Sequence, residues 1–85
     1  MESIDELISN LDKIHTTDLG IKRIKENLQI TMNDVVKYCV KLIKNADKIS
    51  RIGKNWYIYK NNTILTINAY TYTIITAHET KSKKQ

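Results

Sequence analysis

The hydrophobic pattern changes period once, at Lys48, and that switch limits the architecture more than any other feature of the chain. Before it, apolar residues recur at the spacing of one helix face. After it they alternate, as in a half-buried strand. Proline is absent and there are only two glycines, so no linker interrupts either half and no internal repeat is visible.

Three helical segments precede the switch. In "SIDELISNLDKI", Ser3 and Glu6 form a capping-box pattern, and Ile4, Leu7, Ile8, Leu11 and Ile14 make one continuous apolar stripe. In "HTTDLGIKRIKENLQI", Thr16 or Thr17 caps a second helix, and Asp18 suits the positive end of its dipole. Leu19 or Ile21, then Ile24 and Leu28, point inward, and Gly20 in the first turn hints at close packing. In "TMNDVVKYCVKLIKN", Thr31 or Asn33 caps a third helix that buries Val36, Cys39, Val40 and Ile43. Lys37, Lys41, Lys44 and Lys48 would line its opposite face.

Beyond the switch the chain reads as "KISRI", a "GKN" turn, "WYIYK", an "NN" turn, "TILTINA" and "YTYTIITAH". Connections this short join antiparallel neighbours, because parallel strands need a long crossover. The expected fold is α+β: three N-terminal helices packed on one face of a four-stranded antiparallel β-meander. A single domain spans residues 1–80, and residues 81–85 form a mobile basic tail.

Composition narrows the function classes. The 85 residues, 41% hydrophobic and 27% charged, suit one modest core. Fourteen Lys and Arg against nine Asp and Glu give a net charge of +5, enough to attract a polyanion. Cys39 is the only cysteine, which excludes an intrachain disulfide. No apolar run approaches membrane-spanning length and the acidic N-terminus is unlike a signal peptide, so a cytoplasmic protein without membrane contact is expected.

With helices on one sheet face, the other is left for water or a ligand. Leu65, Ile67 and Ala69 with Ile75 and Ala77 are the smoother apolar sets and go to the helix side. The open face then collects Thr66, Asn68, Tyr72, Thr76 and His78, together with Tyr57 and Tyr59 or with Trp56. Arg51, Lys54 and Lys60 supply cations at its rim. Aromatic rings that stack on bases, beside cations that hold phosphates, are the composition of an RNA-binding platform. Tyrosine and threonine are also favoured in any half-buried strand for steric reasons.

His78 among hydroxyls, with Arg51 or Lys54 near, has the makings of a metal-free acid or base for RNA cleavage. His15 is the second candidate, because it precedes a helix whose first amides, with Thr16 and Thr17, suit a phosphate. Arg23 on that helix adds a cation. The plain alternative for either histidine is a hydrogen-bonded residue at a cap or strand end. Two histidines without a carboxylate cluster argue against a metal centre, and no cofactor is expected.

The stretches "HTTDLGIKRIKENL", "GKNWYI" and "TINAYTYTIITAH" resemble the domain of unknown function 3781 family, a small microbial family, over nearly the whole chain. More distantly, helices followed by an antiparallel sheet ending in "TIITAH" resemble the metal-independent RNases and toxins of barnase-like, colicin-like and RelE-like type. That likeness implies a site on the open sheet face, with Lys54, Tyr70 or Tyr72, Thr76 and His78 as catalytic groups. From the rings, cations and helix start, nucleic-acid contacts are expected at Arg51, Trp56, Tyr57, Asn68, Tyr70, His15, Thr17 and Arg23. One departure from the likeness is the lack of a glutamate on the open face to act as a base.

The expected partner is therefore RNA, with or without cleavage. Two other classes fit the same residues. A helix-turn-helix DNA-binding regulator would use the lysine stripe, although the third helix offers few base-reading side chains. A protein-interaction module, partnered by an antitoxin or a fused domain, would use the tyrosines and Trp56 as anchors.

Overall fold

The computed structural model describes residues 2–31 and 34–79, except for the side chains of residues 2 and 3. Its elements are α1 (Glu2–Ser9), a 3₁₀ turn (Leu11–Lys13), α2 (Asp18–Leu28), α3 (Val35–Lys44), β1 (Lys48–Ile52), β2 (Asn55–Lys60), β3 (Thr63–Asn68) and β4 (Ile74–Glu79). The sheet order is β1-β2-β3-β4, antiparallel throughout. This is the α+β meander expected from the change of period. The tail expected at 81–85 lies outside the described residues.

The first helix is shorter than its apolar stripe. It stops at Ser9, where the Asn10 side-chain amide donates to the Glu6 carbonyl at 2.7 Å and so competes with the next helical turn. The 3₁₀ turn and an extended Ile14 still deliver Leu7 and Ile14 to the core. Ser3 lies inside this helix rather than ahead of it, and its side chain is outside the described residues.

For α2 the cap is Thr17, whose hydroxyl accepts from Gly20 N at 3.0 Å. Ile21 packs against the core while Leu19 is 57% exposed. Gly20 leaves room for Thr16 Oγ1, which a Cβ there would displace from its place as donor to the Ile74 carbonyl at 3.3 Å. At the other end the Asn27 amide donates to the Ala77 carbonyl at 3.1 Å. These two bonds seat α2 along β4.

In α3 the cap is Asp34, accepting from Lys37 N at 3.0 Å, not Thr31; Asn33 lies outside the described residues. The buried stripe is Val35, Cys39 and Ile43, with Val36 and Val40 on its flank. Burial pushes the Cys39 thiol from 9.0 up to about 12, since a thiolate would be poorly solvated there. Lys37, Lys41 and Lys44 are exposed on this helix, whereas Lys48 belongs to β1.

Within the sheet, Gly53 at φ +60° and Asn61 at φ +55° make the two tight turns. The fourth strand departs from its alternation. It begins at Ile74 rather than Tyr70, because residues 69–73 form a loop closed by Asn68. The Asn68 side-chain oxygen accepts from Tyr70 N at 2.8 Å and Thr71 N at 3.0 Å, and Tyr72 adopts φ +61°. Ile67 pairs with Ile74 but Thr66 pairs with Thr76, so Ile75 is an extra, bulged residue, 48% exposed. The bulge reverses the parity of everything before it. Ile74 therefore joins Ala77 in the core, and Ile75 does not.

Candidate functional site

Residues directly opposite in an antiparallel pair share a face. The pairings place Ile49, Trp56, Ile58, Leu65, Ile67, Ile74 and Ala77 on the helix side. The uncovered face carries cross-strand rows. One is Lys48, Tyr59, Ile64 and His78; the next is Ser50, Tyr57, Thr66 and Thr76; the last is Ile52, Asn55 and Asn68. Tyr57 and Tyr59 thus sit side by side on an interior strand. The Lys48 ammonium lies 5.8 Å from the Tyr59 ring centre, and Asn55 Nδ2 donates to the Tyr57 hydroxyl at 3.5 Å.

A second cluster gathers at the end of the sheet where the β1–β2 turn meets the β3–β4 loop. The two are tied by Ala69 N donating to the Lys54 carbonyl at 2.7 Å. The Arg51 guanidinium lies 5.7 Å from the Trp56 ring centre and 5.7 Å from that of Tyr70. Trp56 in turn meets Tyr72, ring centres 5.4 Å apart and tilted by 49°, and Lys13 lies 5.7 Å over Tyr72. A continuous run of cation–ring and ring–ring contacts leads from Tyr70 through Arg51, Trp56 and Tyr72 to Lys13. Trp56 is fully buried, and its indole N–H finds no acceptor among the described residues. Such a group costs on the order of 1–3 kcal/mol, so it is the ring that the position selects.

His15 joins this end from the N-terminal half. Its backbone bridges Thr73 in parallel, with His15 N donating to Tyr72 O at 3.1 Å and Ile74 N donating to His15 O at 2.8 Å. The ring is held twice. Nδ1 lies 2.9 Å from the Lys13 carbonyl, and Nε2 lies 3.0 Å from Thr73 Oγ1, itself 2.8 Å from Thr71 Oγ1. A carbonyl only accepts, so Nδ1 carries the hydrogen, and in the neutral ring Nε2 accepts from Thr73. Thr71 then donates to Thr73.

The four expected catalytic groups do not converge. Thr76 and His78 share the uncovered face, but Tyr72 packs against the core beside Trp56, because the left-handed turn and the bulge send it to the other side. Lys54 lies in the turn beyond the Asn55–Asn68 row, whereas His78 pairs with Ile64, four residues along β3, about 13 Å at roughly 3.3 Å per residue.

The expected nucleic-acid contacts also divide. Tyr57 is on the uncovered face, while Trp56 is in the core and Arg51 opposite it leaves the sheet on the helix side, not at the open rim. Tyr70 is 71% exposed at the loop end. Asn68 is taken up in closing the loop, and the Thr17 hydroxyl in capping α2. Arg23 is exposed on α2. Lys13, Thr71 and Thr73 were not among the expected site residues. The pairing of Thr73 with His15, across 58 positions, carries no local signal in the sequence. Among the described residues, no group of three or more His, Cys, Asp or Glu could hold a metal ion, and no helix is long and apolar enough to cross a membrane.

Comparison with known proteins bears on the chain at the level of the family. Residues 8–78 match the family model described as "Protein of unknown function (DUF3781)". No curated protein and no solved structure matches.

Proposed function

This chain belongs to the DUF3781 family, and we propose that it binds single-stranded RNA on the uncovered face of its sheet. The observation that carries this reading is the pair Tyr57 and Tyr59, at alternate positions of an interior strand on the sheet face that none of the described helices covers. Two rings at alternate positions of one strand offer successive stacking surfaces for unpaired bases. Lys48 beside Tyr59 and a net charge of +5 favour a polyanion. A flat aromatic face suits splayed bases better than a duplex, whose base edges lie in grooves that a protruding element must enter. The exposed side chains of α3, Lys37, Lys41 and Lys44, carry charge but no base-reading group, which speaks against a DNA-recognition helix.

The test is fluorescence anisotropy with labelled RNA of about 12 nucleotides, within the site sizes of such platforms. Duplex DNA serves as the competitor and salt is varied. Tyr57→Ala and Tyr59→Ala should each weaken binding by about 1–3 kcal/mol, or roughly 5- to 150-fold. Raising the salt should weaken binding in parent and variants alike. Undiminished binding by the double variant, or preference for duplex DNA, would overturn the reading.

A further inference from the structure

We infer that the loop end of the sheet is an RNA-cleaving acid–base site built on His15, Thr73 and Thr71. The inference rests on the RNA-binding reading, from which it takes its substrate class. Its own support is the relay geometry. His15 is fixed through Nδ1 by the Lys13 carbonyl at 2.9 Å, which turns the Nε2 lone pair toward Thr73 Oγ1 at 3.0 Å. An oriented base in hydrogen-bond reach of a hydroxyl is the arrangement from which enzymes move protons.

The loop itself adds a second feature. Along residues 70–73 aromatic and hydroxyl side chains alternate, and each aromatic bears a cation: Arg51 over Tyr70 and Lys13 over Tyr72, each at 5.7 Å. The relay hydroxyls of Thr71 and Thr73 therefore alternate along the chain with positions that attract phosphate. His15, Thr71 and Tyr70 are exposed. His78, in contrast, has no hydrogen-bonded base or orienting group among the described residues.

The chemistry requires only proton transfer. The RNA 2′-hydroxyl oxygen forms a bond to the adjacent phosphorus as the bond from phosphorus to the 5′ oxygen breaks. The 2′ proton passes to Thr73 Oγ1, whose own proton moves to His15 Nε2. The departing 5′ oxygen takes a proton from water, and His15 returns its proton to the hydroxide so formed. The products are a 2′,3′-cyclic phosphate and a 5′-hydroxyl. Lys13, exposed and two residues before His15, would oppose the negative charge gathering on the phosphoryl oxygens.

The experiment incubates the full chain with end-labelled RNA in excess chelator, and binding is measured in parallel by anisotropy. The parent should yield cyclic-phosphate ends. His15→Asn, whose amide can still donate to the Lys13 carbonyl, should lose on the order of 100-fold or more in cleavage rate at unchanged RNA affinity. Thr73→Val should fall similarly and Thr73→Ser should retain activity. Added imidazole should restore part of the rate to His15→Ala, which keeps the test decisive even if His15→Asn folds poorly. RNA bound but left intact by the parent overturns the catalytic site and leaves the binding reading standing. RNA neither bound nor cut overturns both, and cleavage by His15→Asn at the parent rate overturns the assignment of the base.

Discussion

The uncovered sheet face and the loop end carry similar residue types in different physical states. On the face, Tyr57, Tyr59, Thr66, Thr76 and His78 line up by strand register. At the loop end, His15, Thr71 and Thr73 are locked to one another, and Asn68 holds the loop closed. The first is ordered by strand register. The second is already organised before anything arrives. Stacking tolerates adjustment, whereas proton transfer needs fixed donors and acceptors. Hydroxyls and a histidine are therefore informative only with their partners in view.

Four substitutions or titrations sharpen or break that contrast. The largest effect is expected at Trp56, which joins both regions: it lies on the strand of Tyr57 and Tyr59 and its ring packs with Arg51 and Tyr72. Trp56→Ala should cost about 3–5 kcal/mol in urea unfolding and disable both surfaces together. A mild loss confined to one surface would show that they do not share a core.

Asn68→Ala is the next in size and should separate the two. It removes the acceptor for Tyr70 N and Thr71 N, costing roughly 1–2 kcal/mol. Amide exchange should accelerate in residues 70–73 while Tyr57 and Tyr59 keep their protection. Uniform acceleration across β2 would contradict the division.

The buried thiol probes the core beneath both regions. Cys39 holds its proton up to about 12 in the fold, against 9.0 for the free group. Below 9.0 both states are protonated and the group contributes nothing to pH dependence. Above it the unfolded chain binds fewer protons than the folded one, so stability falls with rising pH. The loss should be about 1 kcal/mol one unit above the free value. Unfolding curves of the parent at pH 8 and about pH 10, compared with Cys39→Ala, should show a steeper decline in the parent; equal declines would refute the assignment.

Gly20→Ala should have the smallest net effect. Replacing glycine in a helix ordinarily gains about 1 kcal/mol. Here the new methyl must displace Thr16 Oγ1 from its bond to the Ile74 carbonyl, which offsets the gain. Thermal unfolding should show little change in the single variant, and the usual gain should return when the substitution is made in a Thr16→Ala background. A full gain in the single variant would show that Thr16 is not a working tie between α2 and β4.

The architecture was legible because it follows from periodicity and connection length, which are local. The caps at Thr17 and the turns at Gly53 and Asn61 follow from side-chain chemistry and from φ preference. The boundary of β4 was not legible, because "YTYT" alternates like a strand while the Asn68 side chain and the left-handed Tyr72 make it a loop. The bulge at Ile75 then moved Tyr72 away from Thr76 and His78, and no residue type announces a bulge there. His15 was recognisable as a candidate beside a helix start. Thr73, its partner, belonged to a segment read as ordinary strand. A hydrogen bond across 58 positions is a tertiary fact.

The most direct test of which surface takes the ligand is an NMR titration of isotope-labelled protein with single-stranded RNA. Amide shifts should change along β2, β3 and β4 around Tyr57, Tyr59, Thr66 and Thr76, while those of Lys37, Lys41 and Lys44 stay put. Changes confined to α3, with the tyrosine strand silent, would contradict RNA binding on the uncovered face.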